Sequence, residues 1–261
     1  MKDVQNLKDE RGLDINEVGI SDLKIPLILN SGRDKQQIIS NTKMGVSLSS
    51  VLKGTHMSRF TEIAEKIENR SLNKRLISLV LKKIKEKIHS DYARVEFSFV
   101  YFINKRAPVS KIMSKMNYEC SLVGEINGKN QEVYSCDVKV PISTLCPCSK
   151  EISRNNAHNQ RAVIHLEIKS KIFISAKELI KKIENSSSCE LFSTLKRVDE
   201  KFVTEKMYKN PMFVEDVVRD IALWAEKDSR IEDYIVKCKS YESIHNHNAF
   251  AIIINNKNVS N

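Results

Sequence analysis

Apolar residues recur with two different periods in the first half of the chain. A spacing of three or four residues predicts amphipathic helices, and strict alternation predicts half-buried strands. Pro26 suits an edge strand because it has no N–H to donate, and Asn127-Gly128 is typical of a hairpin turn. The predicted elements are helices at 57–69 and 72–89 and strands at 20–29, 44–52, 93–103, 117–127 and 130–142.

The second half has a similar order of elements without visible sequence similarity to the first. Asn210 and Pro211 are typical of a helix start, with asparagine as the N-cap and proline in the first turn. The predicted elements are a strand at 162–168, helices at 175–185 and 211–227, and strands at 232–241 and 248–255. Each half therefore predicts an α+β arrangement, with antiparallel sheets and helices packed on one face. The predicted limits are a polar tail at 1–19, a first module at 20–140 and a second module at 141–261.

The composition is typical of a folded protein. The chain has 261 residues, of which 41% are apolar and 29% are charged. Residues 1–12 are mostly polar and unlike a signal peptide, and no apolar run reaches the ~20 residues that cross a bilayer. We therefore expect a cytoplasmic protein with no membrane partner, and we expect its six cysteines to be reduced.

The net charge of +10 comes mainly from lysines dispersed along the predicted helices. A solvated helix face is the ordinary explanation, and an anionic partner, either nucleic acid or a polyphosphate metabolite, is the alternative. A nucleic-acid-binding module would need a concentrated basic stripe with exposed aromatic residues. Here the aromatic residues alternate into predicted cores, so we do not expect nucleic acid as a partner.

Residue types that can bind metals or move protons are concentrated in three segments of the second half. The first contains Cys146 and Cys148, with His158 twelve residues after Cys146. Thiolate and imidazole are ligands for zinc and similar metals, and a Cys-x-Cys pair alone does not suit a closed four-thiolate site. Histidine and carboxylate ligands would leave a position for water, as catalytic sites do. Two inert turn cysteines and a surface histidine remain the alternative.

The second segment, residues 196–201, contains Glu200. The third contains Glu242, His245 and His247 at the junction of two predicted strands. Residues two apart in an extended segment share a face, so the two histidines would point the same way. One could bind a metal while the other moves protons, and a polar turn is the ordinary alternative.

Glu215 and His56 each have two interpretations. Glu215 could form an i,i+4 pair with Arg219, worth a few tenths of a kcal/mol, or its carboxylate could accept two parallel hydrogen bonds from guanine. His56 precedes a predicted helix, which it could cap, or it could bind phosphate together with Arg59. We interpret His165, within a predicted strand, as structural.

Six strings carry most of these residues. They are HMSRF (56–60), LCPCSKEIS (145–153), AHNQR (157–161), RVDEKFVTE (197–205), NPMFVEDVVR (210–219) and ESIHNHN (242–248). In order and approximate spacing they resemble the type IB family of GTP cyclohydrolase I, and the Cys-Pro-Cys-Ser-Lys segment is highly specific. The match covers most of the chain. Asn248 is a departure, since an acid is expected there in many relatives.

The resemblance implies a fold, an assembly and a metal site. The fold would be two tandem tunnelling-fold (T-fold) modules per chain, and the assembly a homotetramer with active sites at subunit interfaces. The metal would be manganese, zinc or iron, and a mixed set of soft and hard ligands suits such tolerance. The implied ligands are Cys146, His158, Glu200 and His245, with Glu242 close by.

The resemblance also implies a reaction. GTP and water would give 7,8-dihydroneopterin triphosphate and formate, the first step of pterin and tetrahydrofolate biosynthesis. Metal-activated water would attack C8 of the guanine, with Cys146, Glu242 and His247 as catalytic residues and His247 as the proton donor. Glu215 would anchor the guanine. The candidates for binding the rest of the substrate are Lys150, Arg161, Arg197 and His56.

Other readings stay open at this point. Another tunnelling-fold enzyme that acts on a purine or pterin, of the aldolase or nitrile reductase type, would share the fold but would not explain the implied metal ligands. A basic nucleic-acid-binding protein with a structural metal is the more distant alternative. The sequence does not separate a triphosphate from a cyclic phosphate product, or folate from a modified tRNA base as the end of the pathway. The roles of Cys148 and of the polar tail are open as well.

Overall fold

The computed structural model describes residues 5, 7–31 and 34–255. The strands are β1 (Ile15–Ser31), β2 (Asp34–Leu48), β3 (Ala93–Arg106), β4 (Met113–Ile126), β5 (Glu132–Leu145), β6 (Asn159–Ser170), β7 (Cys189–Glu190), β8 (Ile231–Ser240) and β9 (Ala249–Asn255). The helices are α1 (Met57–Glu65), α2 (Lys74–Ile88), α3 (Pro147–Ile152), α4 (Ala176–Asn185), α5 (Arg197–Lys209) and α6 (Val214–Lys227). In the described part of the chain, no helix has the length and apolar character needed to span a membrane.

The strands belong to one mostly antiparallel sheet. Its order is β1-β2-β3-β4-β5-β6-β8-β9, with β7 paired to β5. This finding corrects the predicted fold class, which was tandem tunnelling-fold modules with antiparallel sheets. The strand order shows one sheet that includes all nine strands. The physical reason is that periodicity reports which side chains of a strand are buried, whereas it does not report which strand lies beside it.

The chain divides into two compact units that are not consecutive halves. The first comprises residues 1–100, 121–135 and 171–173, and the second comprises residues 101–120, 136–170 and 174–261. The predicted module limit between residues 140 and 141 lies within β5, and β1 begins at Ile15, inside the predicted tail. The division into a tail, a first module and a second module that carries most of the active site stays a prediction.

In the first unit, helices α1 and α2 pack together and α1 contacts β1. The amphipathic period of α1 buries Phe60 and Ile63 completely. A Cβ added to Gly124 in β4 would lie 2.2 Å from Cγ2 of Ile77 in α2, so this close approach requires glycine. Pro26 lies in β1 at one end of the strand order, which confirms the predicted edge strand.

In the second unit, even-numbered positions of β6 and β8 form one buried face. Ile164 lies opposite Cys238 and Leu166 opposite Val236, and all four are buried. Helix α6 packs against β8 and β9 and buries residues such as Val217. Burial of each large apolar side chain contributes about 2 kcal/mol. Odd-numbered positions of β6 point to the other face and are mostly half-exposed.

Most predicted elements are present, but the predicted start of the last helix, at Asn210 and Pro211, was wrong. Asn210 is the C-cap of α5, and α6 begins at Val214 with Phe213 as its N-cap. Helix α5 was not predicted, because its buried residues are only Asp199 and Met207 and it therefore has no apolar period. The predicted hairpin is confirmed by a turn in which Asn127 N–H donates to the carbonyl oxygen of residue 131.

All six cysteines are free thiols, in agreement with the prediction. Burial raises the pKa of Cys120, Cys189 and Cys238 to about 12, so these thiols are neutral at physiological pH. Cys148 is exposed and Cys146 is half-exposed. The two cysteines of the Cys-x-Cys segment are therefore the ones that solvent reaches.

Candidate functional site

The second unit contains a cavity of about 270 Å³. It lies where the chain leaves β5 and β8 and where β6 and α6 begin. Residues singled out in the sequence line most of it, namely Cys146, His158, Glu215, Glu242, His245 and His247. Gln160, Met212, Phe213, Val214 and Ala249 complete the lining. The structure thus brings the first and third ligand-rich segments together at the start of α6.

Cys146 follows β5 and is the N-cap of α3. Its Sγ accepts a hydrogen bond from Ser149 N–H at 3.4 Å, which fixes the position of the sulfur at the start of α3. Its own N–H donates to the carbonyl oxygen of His158 at 3.1 Å, and His158 N–H donates to Ser149 Oγ at 3.2 Å. These bonds fix the two predicted metal ligands next to each other at the ends of adjacent strands.

The ring of His158 is oriented by two polar neighbours. Its Nδ1 lies 3.0 Å from Gln160 Oε1 and 3.2 Å from Ser243 Oγ. The amide oxygen can only accept, so Nδ1 donates to it, and Nε2 is the ring nitrogen left for a metal. That tautomer is the one that binds a metal through Nε2.

The third segment connects β8 to β9. Glu242 is half-buried, and its Oε1 accepts a hydrogen bond from Ser240 Oγ at 2.8 Å. His245 and His247 are exposed, and their rings stack with centroids 5.0 Å apart and an angle of 16° between the planes. The prediction that both histidines point the same way is confirmed. Tyr241 N–H donates to the Arg161 carbonyl oxygen at 2.9 Å, which ties the segment to β6.

Glu215 lies in the first turn of α6 and is exposed at the cavity. The start of this helix is held by Met212, whose N–H donates to the Leu145 carbonyl oxygen at 3.0 Å. The alternative interpretation, a pair with Arg219, is not seen among the described residues, in which Nη1 of Arg219 lies 3.8 Å from Oδ1 of Asp216. Glu215 is instead part of the cavity lining.

Four predicted site residues lie in the second unit but outside the cavity lining. Glu200 and Arg197 are exposed in the first turn of α5, and Arg161 is exposed in β6. The Nζ of Lys150 donates to the Tyr208 carbonyl oxygen at 2.7 Å. The structure thus does not bring these four side chains to the cavity.

His56 lies in the first unit, where it lines a different cavity of about 390 Å³ together with Arg59. Nη1 of Arg59 donates to the Lys87 carbonyl oxygen at 2.6 Å. Serine, threonine and aspartate side chains share this lining, so the cavity is polar. A role in phosphate binding stays a prediction.

Asp199 fixes the start of α5, where Glu200 also lies. It is fully buried, and its Oδ1 accepts from the N–H groups of Val109 and Ser110 at 2.8 Å. Burial by itself would raise the pKa of this carboxyl. Hydrogen bonds from Ser110, Lys196 and Val109 outweigh it and hold the pKa well below its usual range. Asp199 was not among the predicted site residues, because its role depends on contacts with Val109 and Ser110, which are distant in sequence.

The cavity fits the chemistry of a mixed-ligand metal site. It offers the sulfur of Cys146, the imidazoles of His158 and His245, and the carboxylate of Glu242 rather than that of Glu200. These atoms are not closely gathered. In the part of the chain that the structure describes, the ligand atoms that lie within 4.8 Å of one another belong to a different group, Asp137, His165 and Glu167.

Sequence comparison identifies a family and relatives over almost the whole chain. A family model described as type I GTP cyclohydrolase FolE2 matches residues 1–251. The chain is 45% identical to the GTP cyclohydrolase FolE2 of Dictyoglomus thermophilum over 254 residues, which cover 97% of each chain. It is 45% identical to the protein of the same name from Halorhodospira halophila, over 98% of this chain and 99% of the relative. It is 44% identical to that of Thermosipho africanus, over 97% of each.

Solved structures with a similar fold have little sequence in common with this chain. Uricase from Arthrobacter globiformis has a TM-score of 0.52 at 8% identity, over 94% of this chain and 95% of the uricase. Urate oxidase from Bacillus subtilis 168 has a TM-score of 0.50 at 7% identity, over 92% of this chain and 98% of the oxidase. At such low identity the likeness concerns the fold alone.

Proposed function

The chain belongs to the FolE2 family of type I GTP cyclohydrolases, and on that premise we propose that it converts GTP and water to 7,8-dihydroneopterin triphosphate and formate. This reaction is the first step of pterin and tetrahydrofolate biosynthesis. The family description names FolE2 and does not use the designation type IB, so that finer designation is part of the proposal.

The observation that carries the proposal is the lining of the 270 Å³ cavity. One thiol, three histidines and two carboxylates converge there from segments that are distant in sequence. The volume is near the lower end of the range for small-molecule sites, which begins at about 300 Å³. We infer that the cavity receives the guanine base, while the charged triphosphate lies at its mouth or beyond.

We propose that Cys146, His158 and His245 hold a divalent metal, with manganese, zinc and iron as the candidates. A metal held there supplies a Lewis acid that makes water a better nucleophile toward C8 of the guanine. Glu242 is the carboxylate that lines the cavity, and Glu200 is the one that the sequence motifs imply. Both are candidates for the fourth ligand, and the metal affinities of the Glu242→Gln and Glu200→Gln variants distinguish between them.

The other roles belong to the chain's own side chains. The carboxylate of Glu215 accepts hydrogen bonds from N1–H and the exocyclic amine of guanine, which orients the base. His247 donates a proton to an imidazole nitrogen of the base, so that this nitrogen leaves C8 as a neutral amine when the C8–N bond breaks. Gln160 and Ser243 hold His158 in the tautomer that leaves Nε2 free.

We further propose a cytoplasmic homotetramer with active sites at subunit interfaces. Glu200, Arg161 and Arg197 are exposed in the single chain, where a neighbouring subunit can reach them. Lys150, a predicted triphosphate ligand, also lies outside the cavity lining. A site completed by a second subunit would account for the separation of these four residues from the lining.

The test is a turnover assay on protein purified under reducing conditions and stripped with a chelator. GTP is added with Mn²⁺ or Zn²⁺, and formate is measured together with neopterin fluorescence after oxidation. ATP serves as the matched control because it lacks the N1–H and amine pattern that Glu215 would accept. We expect both products from GTP only when metal is added. Formation of neither product with either metal would overturn the proposal.

A further inference from the structure

A second group of ligand-type residues lies on strands β5 and β6 of the second unit. Asp137 is in β5, and His165 and Glu167 are in β6, its neighbour in the strand order. We call these three residues the outer-face cluster. None of them belongs to the segments that line the cavity, and the sequence had indicated only a structural role for His165.

The outer-face cluster and the cavity lie on opposite faces of β6. Gln160, which lines the cavity, shares the even-numbered face with the buried residues Ala162 and Ile164. His165 and Glu167 are odd-numbered, and successive side chains of a strand point to opposite faces. A ligand at the cluster would therefore be separated from the cavity by the sheet.

The geometry of the cluster is already close to that of a cation site. His165 Nε2 lies 2.5 Å from Asp137 Oδ2 and 3.5 Å from Glu167 Oε1, and one ligand atom from each residue lies within 4.8 Å of the others. The side chains are 25%, 31% and 37% exposed for His165, Asp137 and Glu167, so water can supply further ligands. We propose that Asp137, His165 and Glu167 form a second divalent cation site.

The charges around the cluster favour a cation. Lys237 lies opposite His165 in β8, and its Nζ is 3.1 Å from Glu167 Oε1. It balances one of the two carboxylates. Lys139 is paired with Glu119 at 2.7 Å. Asp137, Glu167 and Lys237 together carry one net negative charge, which a divalent ion would reverse.

The ligand types set the metal preference of this site. One imidazole and two carboxylates make a harder set than the thiolate and imidazoles of the cavity. The cluster should therefore prefer Mn²⁺ relative to the cavity, whereas Zn²⁺ should favour the cavity. The second site does not depend on the proposed reaction, because that reaction does not use Asp137, His165 or Glu167.

The test counts Mn²⁺ ions bound by the full-length, chelator-stripped protein, using equilibrium dialysis and electron paramagnetic resonance. Cys146→Ala is used as the background that removes the cavity thiolate. We expect this variant to retain one Mn²⁺ per chain, and we expect Glu167→Gln or Asp137→Asn in the same background to weaken that binding by about tenfold or more. Glu119→Gln is the matched control, since it removes a nearby carboxylate that is outside the cluster.

Paramagnetic broadening of the His165 ring signals by Mn²⁺ in the Cys146→Ala variant gives a direct second measurement. Unchanged Mn²⁺ affinity after both cluster substitutions would overturn the second site, and so would His165 signals that stay sharp at saturating Mn²⁺. Failure of the proposed reaction would look different, because GTP turnover would be absent while the count of ions at the cluster stayed the same.

Discussion

The cavity and the outer-face cluster differ in how their side chains are held. Both lie in the second unit and both involve β6. The cavity is formed by chain segments that leave or enter regular elements, and its two stacked histidines are exposed. The cluster is formed by residues inside two adjacent strands.

This difference explains why the cluster is the more tightly gathered of the two. Strand pairing places side chains of neighbouring strands about 5 Å apart, so the cluster is assembled by the sheet itself. Cavity residues depend on loop conformation, which can change when a metal or substrate binds. A site that must admit GTP and release products benefits from such adjustable segments, whereas a site made by strands suits a permanently bound ion.

The largest expected effect comes from Cys146→Ala. If the cavity is the catalytic region, turnover should fall about a thousandfold or more, while the protein stays folded by circular dichroism. His165→Ala on the opposite face is the matched control and should change turnover by less than about threefold. Equal losses of turnover in the two variants would contradict the assignment of catalysis to the cavity alone.

The two carboxylates that compete for the cavity metal can be compared directly. We expect Glu242→Gln to lower metal affinity and turnover by about 10- to 100-fold, because Glu242 lines the cavity. Chelator competition with Zn²⁺ gives the affinity without an activity measurement. If Glu200→Gln causes the larger loss, the exposed start of α5 takes part in the site, as expected for a site completed in an oligomer.

Gln160→Leu tests whether the His158 tautomer matters. Loss of the acceptor near Nδ1 should weaken Zn²⁺ binding about 10-fold and leave Mn²⁺ at the outer-face cluster unchanged. Gln160→Glu keeps an acceptor and should restore the affinity. Nitrogen chemical shifts of the His158 ring would report the tautomer itself, and an unchanged tautomer in the leucine variant would leave Gln160 without this role.

The effect of Glu215→Gln should be of similar size to that of Gln160→Leu and should fall on GTP binding rather than on metal binding. The apparent affinity for GTP should fall about 10-fold, since a charge-assisted pair of hydrogen bonds is replaced by weaker neutral contacts. Metal content should be unchanged in both regions, as measured by elemental analysis. Unchanged affinity for GTP would remove the guanine-anchoring role, and then the carboxylate only lines the cavity.

The sequence by itself determined the local features of this protein. Alternation at 93–103 and the hairpin signal at Asn127 predicted β3 and the β4–β5 turn, because the period of burial is written in neighbouring residues. The same holds for the chemistry of the ligand-rich segments, since a thiol or an imidazole is a property of the residue. The family strings pointed to the cyclohydrolase family for this reason as well.

The tertiary structure alone decided which of these features meet. It joined the strands into one sheet, placed Glu242 in the cavity and left Glu200 exposed on α5, a helix without an apolar period. It also paired Asp137 with His165, which are 28 residues apart, through the alignment of β5 and β6. Strand order and alignment are set by the packing of the whole chain, and no short segment of the sequence contains that information.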